Sequence, residues 1–161
     1  MVELAIEKIE FPEGCNIIFG QSHFIRTPEH LFLALTESMP GIKFGLAFAE
    51  ASTKCLVRSE GTDAELKKIA EKELAKLNAG HTFLIILRNA FPINVLNAVK
   101  NTAEVATIFC ASGNPVSVVL AKTPQGNGVL GVIDGLANKG IEGPADVAER
   151  REMLKRFGYK P

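Results

Sequence analysis

Ala79-Gly80-His81-Thr82-Phe83-Leu84-Ile85-Ile86-Leu87 reads as a helix stop followed at once by a strand buried on both faces. Ala79-Gly80 supplies the C-terminal stop. Thr82 to Leu87 is almost wholly apolar and rich in β-branched side chains, the pattern of a central strand covered above and below. Upstream, Thr62-Asp63 offers an N-cap to a helix over Ala64 to Leu77, where Leu66, Ile69, Ala70, Leu74 and Leu77 recur at helical spacing. The opposite face carries Glu65, Lys67, Lys68, Glu71, Lys72 and Lys76 and reads as solvated. Downstream, Pro92 to Lys100 reads as a short helix and Val105 to Ala111 as another buried strand.

The same reading extends to both ends of the chain. Val2 to Phe11 alternates polar and apolar residues, as a half-buried strand does, and Cys15 to Phe19 is a short apolar strand that stops at Gly20. Thr27-Pro28-Glu29 starts a helix, with Thr27 as N-cap, and Leu31, Phe32 and Leu35 face its core before Pro40-Gly41 ends it. Strands are expected over Ile42 to Ala51, Cys55 to Arg58, Val116 to Ala121 and Val129 to Ile133. A polar helix over Pro144 to Arg156 would dock through Val147 and Leu154. Helices and strands interleave irregularly, with no repeat and no linker. The expectation is a single α/β domain over residues 1–161, α+β being the variant, with a mixed β-sheet flanked by helices.

Composition limits the function classes. The chain has 161 residues, 47% of them hydrophobic and 22% charged, so it is long enough to bury a core without disulfides. Eighteen basic residues balance 18 acidic ones. A zero net charge, no Trp and a single Tyr argue against a nucleic-acid partner, which needs a basic excess and stacking platforms. No apolar run approaches a membrane span, and no membrane partner is expected. Cys15, Cys55 and Cys110 are scattered and odd in number, as expected of reduced thiols in a cytoplasmic protein.

Several stretches offer chemistry. In Gly20-Gln21-Ser22-His23-Phe24-Ile25-Arg26, His23 presents an imidazole for base, ligand or nucleophile chemistry, and Arg26 presents a fork of donors suited to phosphate oxygens. The helix start that follows adds backbone N–H groups and a positive dipole end. The plain alternative is a loop histidine bonded to a neighbouring carbonyl. Gly126-Asn127-Gly128-Val129-Leu130-Gly131 matches GxGxxG but precedes a strand rather than a helix, so it reads as a turn over phosphates or as an ordinary hairpin turn. Glu50 and Asp134 each end an apolar strand, where a carboxylate could hold Mg2+, orient a histidine or simply close a turn. Asn89, Asn94, Asn97 and Asn114 are either caps or readers of an adenine edge. His30 reads as a surface residue and His81 as a structural one, and the His and Cys spacing does not fit zinc.

Seven stretches, taken in order, are more specific than any one motif. They are Gly20 to Thr27, Phe44 to Ser52, Ala79 to Phe83, Phe91 to Asn97, Ala111 to Pro115, Gly128 to Gly135, and Gly158-Tyr159-Lys160. Together they make the chain resemble the small adenosine-specific kinase family of archaea and bacteria. The resemblance implies a compact α/β subunit that assembles into homotrimers or paired hexamers. It implies binding of AMP, ADP and ATP and a histidine that carries a phosphoryl group, which is His23 at the matching position. The chain departs from the pattern at Arg26, where Lys is expected, and at Asn127, where the family pattern has Gly-Arg-Gly. Ser52-Thr53-Lys54 replaces a more Gly/Pro-like turn, and Lys54 could supply the lost charge.

The expected mechanism is attack by a neutral His23 nitrogen on the terminal phosphorus of ATP or ADP. The other ring nitrogen would be held by a carbonyl or a carboxylate, Glu50 or Asp134 being candidates. Gly20, Gln21, Ser22, Arg26, Ser52, Asn94, Asn114, Gly126, Asn127 and Gly128 are the further candidates for nucleotide and phosphate contacts. Magnesium is the one cofactor expected, with no tightly bound organic group. A second reading is a sensor that binds AMP or ADP without turnover. A third is a hydrolase or transferase in which phosphohistidine is only an intermediate.

Overall fold

The computed structural model describes residues 2–160. The elements follow in the order β1 (Glu3–Ile9), β2 (Asn16–Ser22), α1 (Thr27–Ser38), β3 (Phe44–Ala49), β4 (Val57–Gly61), α2 (Ala64–Leu77), β5 (Thr82–Leu87), α3 (Pro92–Lys100), β6 (Val105–Ser112), β7 (Val116–Thr123), β8 (Gly126–Asp134) and α4 (Pro144–Arg156). The α/β class and the layered domain hold. The strands do not form one mixed sheet, however: they divide into a five-stranded sheet, β4-β3-β5-β2-β6, and a three-stranded sheet, β1-β7-β8. All the pairings run antiparallel.

β5 lies at the centre of the larger sheet, and its alternation feeds two cores. Phe83, Ile85 and Leu87 meet Leu31 and Leu35 of α1 and Val95 and Val99 of α3 on one face. Leu84 and Ile86 meet Leu66, Ala70, Leu74 and Leu77 of α2 and the inner side chains of the small sheet on the other. Each such fully buried side chain is worth about 1.5–3 kcal/mol relative to exposure. α2 approaches β3 so closely that a Cβ built on Gly45 would lie 2.1 Å from the Leu66 carbonyl carbon, so only glycine fits there.

Local chemistry sets the helix ends. Asp63 accepts from the backbone N–H groups of Glu65 and Leu66, both at 3.1 Å, and Asn78 closes α2 in the left-handed region at φ 47°. Thr27 is the first helical residue rather than the cap. Its hydroxyl sits 2.5 Å from the Phe24 carbonyl and 2.8 Å from the Ser22 hydroxyl, and Arg26 takes the capping position without a side-chain bond.

Three further expectations change. β2 runs on through Gly20 to Ser22, because Gly20 packs under the Phe83 ring and pairs with Phe83 inside the sheet. β6 is an edge strand with Ala106 and Thr107 exposed, rather than a strand buried throughout. α4 has no buried residue, and Val147 and Leu154 reach only intermediate burial.

Candidate functional site

Antiparallel pairing brings one end of the five-stranded sheet together. Gln21 opposes Thr82, Ser22 opposes Val105, and Phe48 opposes both Phe83 and Arg58. The ends of β2 and β3 and the starts of β4, β5 and β6 therefore share an edge, onto which α1 opens. His23, Arg26, Glu50, Arg58, His81 and Glu104 all belong to it.

His23 leaves β2 exposed, but two bonds fix it. Its backbone N–H donates to the Glu104 carbonyl at 3.0 Å, and ring Nε2 lies 3.2 Å from the Ala103 carbonyl. A carbonyl only accepts, so Nε2 carries the proton and Nδ1 keeps its lone pair. The orienting partner is thus a backbone carbonyl. Glu50 instead accepts from the Thr53 hydroxyl at 3.2 Å and pairs with Arg58 at 3.8 Å, and Asp134 lies at the far end of β8.

Glu104 organises the rest of this corner. Its side chain is 3% exposed and meets His30 Nδ1 at 2.9 Å and Arg26 Nε at 3.3 Å. Burial pushes its carboxyl upward, but hydrogen bonds from backbone, His30 and Arg26 outweigh that and hold it below the usual carboxylate range. An ionised carboxylate accepts only, so His30 donates from Nδ1, and Nε2 is the ring nitrogen that the Glu104 contact leaves uncommitted. Arg26 is committed through Nε alone, which leaves its two terminal nitrogens for an anion. The sequence expectation for His30 as a plain surface residue changes accordingly. Glu104 was not anticipated: the order Thr102-Ala103-Glu104-Val105 looks like any turn entering a strand, and its partners sit 74 and 78 residues away.

A cleft of about 740 Å3 opens beside this edge, within the range of small-molecule sites. Glu50, Gly126, Asn127 and Gly128 line it, joined by His81 and Asn78. His81 adopts φ 60° and stacks on Phe48 with ring centroids 6.0 Å apart, and its carbonyl accepts the Ser22 N–H at 2.9 Å. Gln21 reaches the Gly80 carbonyl at 3.2 Å, which ties the His23 strand to the cleft wall. Ser52 lies in the exposed turn above Glu50, where its carbonyl accepts the Cys55 N–H at 3.0 Å and Thr53 and Cys55 both take positive φ.

Asn127 has a structural task. Its side-chain nitrogen donates to the Leu77 carbonyl at 2.8 Å and its backbone N–H to the Asn78 carbonyl at 2.9 Å. It staples the start of β8 to the end of α2. The preceding turn is Thr123 to Gly126, so the glycine stretch itself is strand rather than loop.

The remaining candidates lie at the opposite edge. Asn94 accepts the Phe91 N–H at 2.9 Å, at the start of α3. Asn114 follows β6, its backbone N–H on the Ser112 hydroxyl at 3.0 Å. Asp134 ends β8, opposite Val116. Asp134 and Gly126 stand at opposite ends of this nine-residue strand, about 26 Å apart at roughly 3.3 Å per residue step. Within one chain these three do not join His23. Burial, and then the charge of Asp134, push the Cys110 thiol up to about 11, as befits a core thiol. Among the described residues no three His, Cys, Asp or Glu side chains are grouped to hold a metal. Among the same described residues no helix is long and apolar enough to cross a membrane.

Comparison with known proteins finds a family, described as adenosine specific kinase, whose model matches residues 7–160. A crystal structure, of the PH1918 protein from Pyrococcus horikoshii OT3, superposes with a TM-score of 0.95 at 46% identity, covering 100% of this chain and 99% of that one. No match is found among curated proteins. The match over residues 7–160, which spans both sheets and all four helices, makes this chain a member of the adenosine-specific kinase family.

Proposed function

We propose that the chain binds adenosine nucleotides and takes the terminal phosphoryl group of ATP or ADP onto Nδ1 of His23. The supporting observation is the tethered ring: Nε2 is spent on the Ala103 carbonyl, and Nδ1 is left as the nucleophile. In the step, the Nδ1 lone pair forms the P–N bond while the bond from phosphorus to the bridging oxygen breaks. The nucleotide leaves with that electron pair, and the Nε2 proton stays on the carbonyl contact. The free terminal nitrogens of Arg26 and the N–H groups at the start of α1 would neutralise the equatorial oxygens. The cleft beside Glu50, His81 and Asn127 is the candidate seat for the nucleotide. Magnesium would arrive on the nucleotide phosphates, with Glu50, which lines the cleft, as its candidate carboxylate.

The test is intact mass and peptide mapping after incubation with Mg-ATP, beside untreated protein and His23→Ala. The expected result is one acid-labile, alkali-stable phosphoryl group on His23 and none on the variant. Label that survives the substitution overturns the reading. Saturable AMP or ADP binding with no adduct moves the function to a sensor.

We also propose self-association, as a trimer or hexamer. The small sheet exposes Leu4 at 66% and Ile6 at 64% on β1 and Leu130 at 62% on β8, apolar side chains of the kind that mark an interface. Sedimentation equilibrium of the chain and of Ile6→Asp tests it. A monomer at micromolar concentration in the unsubstituted chain rejects it.

A further inference from the structure

The sheet edge carries a second imidazole that loading of His23 does not use. His30 Nδ1 donates to a buried carboxylate, Glu104, at 2.9 Å, and its side chain is 33% exposed. A carboxylate that fixes one ring nitrogen and leaves the other free to solvent is the arrangement of an oriented general base. His30 also lines a groove of about 520 Å3 between α1 and α3, on the face of the sheet opposite the α2 cleft. Ala103, whose carbonyl holds the His23 ring, lines the same groove. Asn101, Thr102, Ser38 and Glu37 give it a polar rim. The His23 loop is thus tied to the larger cleft through the Gln21 bond to Gly80 and to this groove through the His23 contact with Ala103.

We infer that the α1–α3 groove receives a hydroxyl-bearing acceptor and that His30, oriented by Glu104, is the base that activates it. The inference rests on His23 being the phosphoryl carrier. In the step, His30 Nε2 takes the acceptor O–H proton, the oxygen forms a bond to phosphorus, and the P–N bond breaks with its electrons returning to His23 Nδ1. His30 is left as an imidazolium beside the Glu104 carboxylate, which stabilises that charge. Glu104 is a positioning residue: it touches His30 and Arg26, not the acceptor.

The experiment loads the chain with radiolabelled ATP, removes nucleotide, and follows loss of label from His23 to two probes, water and adenosine. Discharge is measured relative to loading for each variant. For His30→Ala and His30→Gln that ratio is expected to fall about 100-fold or more, the range of a general base. Added imidazole is expected to restore much of it in His30→Ala, which a merely structural role would not allow. Glu104→Gln is expected to shift the His30 ring 15N resonances from a fixed Nδ1-protonated tautomer to a mixture. Folded His30 variants that discharge at the unsubstituted rate, or that imidazole fails to rescue, overturn the inference while His23 loading stands. A loaded chain that discharges to neither probe overturns it as well. An unsubstituted chain that never carries label on His23 removes the parent reading and this one together.

Discussion

The two ends of the five-stranded sheet both carry polar side chains and use them in opposite ways. At the far edge the asparagines serve the backbone. Asn16 donates to the Ala90 carbonyl at 3.2 Å, Asn89 bridges the Lys43 N–H and the Gly41 carbonyl, and Asn94 caps α3. At the His23 edge His23, Arg26 and His30 each give one nitrogen to the scaffold and keep another free. A polar residue that closes a turn and one prepared for a ligand can thus look alike in sequence. The difference is how many of its hydrogen-bonding groups the fold leaves over.

The contrast can be broken by substitutions at either edge. The largest expected effect is at Arg26. Arg26→Ala removes the free guanidinium nitrogens that the proposed function assigns to the phosphoryl group, and the rate of His23 loading should fall about 100-fold, typical of losing one preorganised donor. Quench-flow labelling that shows less than a threefold change would remove Arg26 from the site.

Next is Glu104. Its carboxyl is held below the ordinary range in the folded state. Its ionisation therefore stabilises the fold at pH values above the unfolded carboxylate range, and that contribution is lost as pH falls through the lower folded value. Glu104→Gln should cost about 1–3 kcal/mol at pH 7, with the gap to the unsubstituted chain narrowing toward pH 3, read from urea midpoints. Equal gaps at the two pH values would mean that the carboxylate charge contributes nothing.

The smallest effect is expected at the far edge. Asn94→Ala should cost about 1 kcal/mol of stability through the lost cap and leave His23 loading unchanged. Lost loading with an intact fold would return Asn94 to the nucleotide site and dissolve the contrast, for instance through a neighbouring subunit.

Much of the layered fold was legible because its signals are local. α2, β5, α3 and α4 fall on the expected residues, since Asp63, the prolines at 92 and 144, and the apolar run to Leu87 each act within one turn or one strand. Strand partners were not legible. The pairing of β1 with β7 joins Glu3 to Lys122, and no local pattern encodes that. The site shows the same division. His23 and Arg26 stand in a recognisable run, and Glu50 with the glycine stretch does reach the cleft. Glu104 and the free face of His30 appear only once residues 26, 30 and 104 meet, because burial of a carboxylate is a tertiary property.

The pairing of β1 with β7 also sets an order of events during synthesis. β1 is made before its partner, which follows more than a hundred residues later. At roughly 5–20 residues per second, the interval is on the order of ten seconds. Through that time an alternating strand bearing Leu4 and Ile6 has no edge to join, while β2 to β6 can already form their own sheet. The small sheet is thus the later layer to close, and β1 is most exposed to misassociation until β7 emerges.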